Sequence, residues 1–444
     1  MRFFLKIFSP VFLILSLCLL TYTFYKSQII WNNTKIDFYL DYYLISISLV
    51  TFSIITFFFN NKLKEYVLIF LFSITVAIYI YEGFLTFREF SNSNQKKRIE
   101  DLEVKKKIYE KEENKKYNIR KKKEIYEDLI QQNKNIKLAI SPRVSYLNKN
   151  YSLFPLSGIS HSETIHQNEN GYYSIYMSDR FGFNNPDKEW ESKDIEYLLV
   201  GDSFTHGNAV NRPFDIASVL RSLSNKSVIN IGYDYNGPLL QYASVREYLR
   251  PGMKKIIWIY FEGNDLRELY FELKDRTLKN YFDDPKFSQK LTLRQNEINN
   301  LANTVLDEGI KKQNKTKKIK FNNLKNFLLI SKTRAHLKPE KLTIHLTEFK
   351  KIIKLTKNLA LENNSKLYFV YLPDYYRYTT MYDNTHYLDI KNILKELKIP
   401  LIDIHNEVFK KEKDPLNNFP FRMLGHYNIK GYNKVARTIY KLTN

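Results

Sequence analysis

Three apolar stretches occupy most of the first ninety residues, at 7–25, 42–59 and 66–84. Inside a bilayer no water satisfies backbone N–H and C=O groups, so such stretches can only be helices that bond internally. About 20 apolar residues are enough to cross. Residues 1–90 are therefore expected to form a membrane region of three transmembrane helices in contact with lipid. No small-x-small cleavage site follows the first stretch cleanly, and Leu17 rather than a small residue precedes Cys18. The stretch is read as a retained span, with Cys18 a membrane-buried thiol. Arg2 and Lys6 before the first span, and Lys62 and Lys64 between the second and third, favour the cytoplasmic side, which places the chain beyond the third span outside. Lys96, Lys97 and Arg98 pull the other way, but long domains translocate largely regardless of charge. The expectation is a multi-pass protein of the cytoplasmic (inner) membrane with an extracytoplasmic domain.

Residues 91–150 are strongly polar, with Ile99, Leu102, Ile108, Ile119, Ile125 and Leu129 at loosely helical intervals. A charged helical stalk, with self-association through it, is the expectation. From 151 to 444 the pattern changes. Apolar runs at Tyr197–Val200, Val228–Ile231, Ile256–Tyr260, Leu367–Leu372 and Leu401–Ile404 alternate with helical stretches, which predicts an α/β doubly wound, three-layer parallel sheet. Residues 266–365 are too long for one crossover and read as a helical insertion that forms a lid or substrate groove. In parallel sheets ligands bind beyond the carboxyl ends of the strands, and polar side chains cluster there. Gly201-Asp202-Ser203-Phe204 follows the first strand directly, so a serine hydroxyl is held at a sheet edge; the structural alternative is a helix N-cap. Glu262-Gly263-Asn264-Asp265 ends the third strand, Val228-Ile229-Asn230-Ile231-Gly232 leads to Gly237-Pro238, and Gly425-His426-Tyr427-Asn428 precedes the last helix.

These four blocks resemble the SGNH (GDSL-like) hydrolase superfamily, over roughly residues 195–444 without the insertion. The resemblance implies a flavodoxin-like fold and a serine esterase or acyltransferase. Serine is a poor nucleophile at neutral pH and needs a base, His426, to take its proton. Attack on an ester creates an oxyanion, and each preorganised donor contributes about 3 to 4 kcal/mol. The resemblance implies that these donors are the Ser203 main-chain N–H, Gly237 or Gly232, and the Asn264 amide. The block Ser178-Asp179-Arg180-Phe181-Gly182-Phe183-Asn184-Asn185 resembles the lead-in of membrane-associated members, some of which act on surface polysaccharides. An O-acyl substrate on envelope carbohydrate is expected by that analogy; Asp374-Tyr375-Tyr376-Arg377-Tyr378, just after the fourth strand, reads either as a sugar- or anion-binding loop or as a satisfied surface loop.

Family members place an aspartate three residues before the histidine, and here Met423 stands there. Two solutions remain open: His426 oriented by Asp414 or by a backbone carbonyl, or His386, which has Asp383 at the expected spacing. Order along the chain favours His426, which follows the last strand, with Asp383 then a helix N-cap. His206 is expected to face solvent. His161, His166, His336, His345 and His405 show no metal-ligand spacing, and with one cysteine no zinc-type cluster forms, so neither a metal nor a cofactor is expected. The net charge of +22 invites a nucleic-acid reading, yet the lysines are mixed with Glu, Asn and Gln and no nucleic-acid signature is present. Lysines beside anionic headgroups are the simpler account. The competing function is a glycan-binding or scaffolding module whose site no longer turns over, motivated by Met423 and by the long spacing of the second block.

Overall fold

The structure is a computed structural model that describes residues 2–31, 33, 36–91, 95–313, 318–338, 342–379, 382 and 385–444. The chain divides into two compact units, one of Met1–Ser93 with Lys317–Glu340 and one of Asn94–Thr316 with Lys341–Asn444.

The first unit holds α1 (Arg2–Phe24), α2 (Ile36–Ile55) and α3 (Asn61–Ser91). Among the described residues three segments are long and apolar enough to cross a membrane, Phe4–Ile30, Phe38–Phe58 and Asn61–Glu89. The third carries Lys62, Lys64 and Arg88 toward its two ends, on either side of its apolar middle. Within this unit Glu82 is fully buried and accepts hydrogen bonds from the Thr333 main-chain N–H at 2.7 Å and its hydroxyl at 2.8 Å. The insertion is thus divided: its middle packs in the unit of the three apolar helices, while the helices before and after it belong to the sheet-containing unit.

The second unit is built, among the described residues, on eight strands: β1 (Ile136–Leu138), β2 (Glu163–Ile165), β3 (Ile175–Met177), β4 (Ile195–Gly201), β5 (Ser227–Asn230), β6 (Met253–Phe261), β7 (Lys366–Leu372) and β8 (Leu401–Asp403). The last five form one parallel sheet in the order β5-β4-β6-β7-β8. That is the flavodoxin-like arrangement, in which the chain starts inside the sheet and winds outward in both directions. Alternate residues point to opposite faces. Leu198, Val200, Trp258, Tyr260 and Tyr371 therefore pack on one side with the helices Pro238–Tyr248 and Leu346–Glu362, whereas Tyr197, Leu199, Ile257, Ile259 and Val370 pack on the other with Ile216–Ser224 and Ile429–Thr443. The three layers and the five expected strands are all present.

The charged segment after the membrane region is not a free stalk. It forms α4 (Gln95–Glu113) and α5 (Lys122–Gln132) and then β1, which pairs with β2 in a small sheet completed by β3. Ile125 finds its partners within the chain, in a core shared with Ile136 and Ile165.

Candidate active site

Strand β4 ends at Gly201, where a Cβ would lie 2.1 Å from Thr205 Oγ1 and 2.5 Å from the Ile259 carbonyl, so only glycine lets the turn close against β6. Asp202 caps the short helix Ser203–His206, accepting from the Phe204 N–H at 2.9 Å. Ser203 is the first residue of that helix, and its N–H has no partner within it. The nucleophile candidate and a main-chain donor at the helix start are thereby presented together.

Ser203 Oγ lies 2.7 Å from His426 Nε2. On the far side of the ring, Nδ1 is 2.9 Å from Glu169 Oε1, and the His426 main-chain N–H donates to Glu169 Oε2 at 2.6 Å. One carboxylate grips both the ring and its backbone, which fixes the tautomer with Nδ1–H on Glu169 and leaves Nε2 to accept the serine proton. Burial disfavours the imidazolium, but the charge and hydrogen bond of Glu169 outweigh it and push His426 up to about 9. Burial likewise opposes charge on Glu169, and His426 reverses this, holding the carboxyl below its ordinary value.

Glu169 was not among the expected residues. It lies between β2 and β3, in the polar turn Gln167-Asn168-Glu169-Asn170-Gly171, upstream of the serine rather than beside the histidine. The only signal was a lone carboxylate in a glycine-ended polar turn upstream of the nucleophile strand. Asp414 is engaged elsewhere: it pairs with Arg422 and accepts from the Leu416 N–H at 3.2 Å. His386 stands at the start of the helix Tyr387–Glu396 with its Nδ1 3.1 Å from Asp389, and Asp383 lies outside the described residues.

A cleft of about 340 Å³ opens over Ser203 and His426, lined also by Gln167, Asn208, Tyr235, Asn264, Arg267, Asp374 and Tyr376. Asn264, the N-cap residue of the helix Asp265–Glu272, lines the cleft at the end of β6; it makes no side-chain capping bond, and its Oδ1 is buried without a hydrogen-bond partner. The glycine donor differs from expectation. Gly237 N–H donates to Glu272 Oε1 at 2.6 Å, and the same carboxylate receives Leu239 N–H at 2.9 Å, because it caps the helix that begins at Pro238. Burial pushes the Glu272 carboxyl up to about 8. Gly232 N–H donates to Asn230 Oδ1 at 2.9 Å. Neither glycine is among the described residues lining the cleft. Arg377 is also engaged, its Nε donating to the buried Glu262 at 2.9 Å, so within the tyrosine-rich loop it is Asp374 and Tyr376 that reach the cleft.

His206 is fully buried rather than facing solvent, with Nδ1 3.1 Å from Asp234 and Nε2 2.9 Å from the Tyr176 hydroxyl. His166 Nε2 lies 2.6 Å from the other oxygen of Asp234. These three residues bring their possible ligand atoms within 4.8 Å of one another, a grouping hidden in the sequence by separations of 68 and 28 positions. Burial pushes His166 down to about 4, although Asp234 opposes the shift. The lead-in block reaches the same region through Asn184, which donates to the His206 carbonyl at 2.9 Å.

No family model and no curated protein matches the chain. Among solved structures, it is similar to a protein of Desulfitobacterium hafniense DCB-2 described as lipolytic and of the G-D-S-L family, at 14% identity and a TM-score of 0.34, covering 56% of this chain and 99% of that one. It is also similar to protein YXIM of Bacillus subtilis, at 11% identity and a TM-score of 0.31, covering 56% of this chain and 55% of that one. At these scores neither likeness carries an argument about chemistry, which rests on the side chains themselves.

Proposed function

We propose that this chain is a membrane-anchored serine esterase or O-acyltransferase of the SGNH type that works through an acyl-serine intermediate. The observation that carries it is the continuous chain from Ser203 Oγ to His426 Nε2 at 2.7 Å and from Nδ1 to Glu169 at 2.9 Å, opening into a cleft. Neutral His426 takes the serine proton as Oγ attacks an ester carbonyl. The resulting oxyanion meets the Ser203 N–H and the Asn264 amide. The imidazolium, stabilised by Glu169, then protonates the departing alkoxide as the tetrahedral intermediate collapses to the acyl-enzyme. A second alcohol or water, deprotonated by the same ring, takes the acyl group away. Hydrolysis and transfer use the same groups and differ in which acceptor the cleft admits and how well it excludes water.

The substrate class we favour is an O-acyl, in particular O-acetyl, ester on envelope carbohydrate. Tyr235 and Tyr376 expose rings at the cleft beside Arg267 and Asp374, a mixture of flat apolar faces and charged groups suited to a sugar. The three apolar helices support attachment to the cytoplasmic membrane, with the catalytic unit outside it by the positive-inside argument. The competing binding module drew on two gaps. Glu169 fills the first, the missing acid; the second, a glycine donor, stands open.

The test is p-nitrophenyl acetate hydrolysis by the full-length protein in detergent beside Ser203→Ala, with a fluorophosphonate probe as the label. Hydrolysis and labelling should both vanish in S203A and in His426→Ala, and labelling should persist in His386→Ala. Equal rates for wild type and S203A would favour the binding module.

A further inference from the structure

The turn that carries Glu169 is held from one side by the segment just beyond the membrane helices. Asn118 donates its main-chain N–H to the Gly171 carbonyl at 2.8 Å and accepts from Asn168 Nδ2 at 2.7 Å, and the Tyr173 hydroxyl donates to the Arg120 carbonyl at 2.8 Å. Two tyrosines of the same segment, Tyr109 at the end of α4 and Tyr117 just after it, are each only 8% exposed despite lying in a lysine-rich stretch. Gly171 has φ +91°, and a Cβ there would come within 2.5 Å of the Tyr109 ring, so the turn passes flat against that ring.

The same two tyrosines reach the histidine loop. Their rings lie 6.4 Å and 6.1 Å from that of Phe421, and 5.7 Å from each other. Phe421 and Arg422 are consecutive left-handed residues, φ 55° and 59°, a costly conformation for side chains of this size that persists only where the surroundings impose it. His426 stands four residues beyond Arg422. The two loops that must meet for Glu169 to hold His426 therefore share one aromatic support, supplied by the membrane-proximal segment.

We propose that Tyr109 and Tyr117 are positioning residues for catalysis: by seating the Glu169 turn and the Phe421 turn on one surface, the docked membrane-proximal segment sets the Glu169–His426 contact, and the site is competent only while that segment is docked. The inference rests on the serine-hydrolase reading. It makes the link to the membrane part of the active-site frame rather than a passive tether.

The experiment is the pH profile of p-nitrophenyl acetate hydrolysis by full-length protein in detergent, for wild type, Tyr109→Ala/Tyr117→Ala, Tyr109→Phe/Tyr117→Phe, Glu169→Gln and Ser203→Ala, with rates normalised to the folded fraction from a thermal melt. The other charged groups facing His426 and Glu169 are Asp202, Asp234 and Lys105, and all three are kept in every variant. The double alanine variant should lose tenfold or more in kcat, and its acid limb should move toward lower pH, in the direction of E169Q. The double phenylalanine variant keeps the rings and should keep both rate and midpoint. A double alanine variant with the wild-type midpoint, whatever its rate, would overturn the proposal. An S203A protein as fast as wild type, or an E169Q profile that does not move, would instead remove the hydrolase reading beneath it.

Discussion

Glu169→Gln keeps the size and one acceptor oxygen of the side chain while deleting the charge behind His426. In the wild type that charge helps hold His426 at about 9, against an ordinary value of 6.5. The difference is about 2.5 pH units, and at about 1.36 kcal/mol per unit it amounts to about 3 kcal/mol of imidazolium stabilisation. Solvent screening discounts this little, since the two side chains are only 19% and 20% exposed. Hydrolysis of p-nitrophenyl acetate between pH 5 and 10 should register the loss in two ways. The base works only when neutral, so the acid limb of kcat/KM, which reports the free enzyme, should have its midpoint near 9 in the wild type. In the variant it should fall to about 6.5 or below, because burial still opposes the charged ring. The plateau should also drop. Losing about 3 kcal/mol of support for the charged ring costs about 10²-fold, and an amide that can also favour the wrong tautomer extends the range to about 10⁴-fold. An E169Q protein with the wild-type plateau, or with its limb still near 9, would refute the assignment of Glu169 as the group that orients and charges the histidine.

The same linkage acts on folding. A histidine whose value is raised in the fold stabilises it fully below about 6.5, and the contribution is lost as pH rises through about 9. Wild-type melting temperature should therefore fall across that window by more than that of E169Q, as read by scanning calorimetry. Asn264→Ala should lower kcat by about 10² to 10³ with KM nearly unchanged, the mark of a donor used only in the transition state; a change confined to KM would reassign it to substrate binding. Gly201→Ala must displace Thr205 or the β6 backbone, which stand 2.1 Å and 2.5 Å from the added carbon, and should cost about 2 kcal/mol or more by denaturant titration. A wild-type midpoint there would mean that the strand ends have room to yield.

Much of the fold is legible in the sequence because each central strand is a short apolar run bounded by polar turns, and burial on both faces requires nothing more specific than that. Tyr197–Val200 and Leu367–Leu372 show this plainly. The serine and histidine are legible for a related reason: each sits in a block attached to the end of a predicted element. Glu169 is not, because its role depends on a long-range meeting with a loop 257 positions away and on packing by residues that read locally as a charged helix. Gly237 misled in the opposite way. Its local pattern, a glycine before Pro238, suits an oxyanion donor and a helix start equally, and the choice was made by Glu272, 35 positions downstream. The buried pair His166 and His206 was hidden likewise, since a histidine's surroundings come from tertiary contacts rather than from its neighbours in the chain.

The division of the insertion changes how this protein would respond to cleavage. The chain passes between its two compact units three times, once after α3 and twice more around Lys317–Glu340. A single cut between residues 91 and 95 would sever the first passage alone. The sheet-containing unit would stay joined through the chain to Lys317–Glu340, which packs within the first unit, where Glu82 accepts from the Thr333 N–H at 2.7 Å. Separating the sheet-containing unit would take two further cuts, one on each side of Lys317–Glu340.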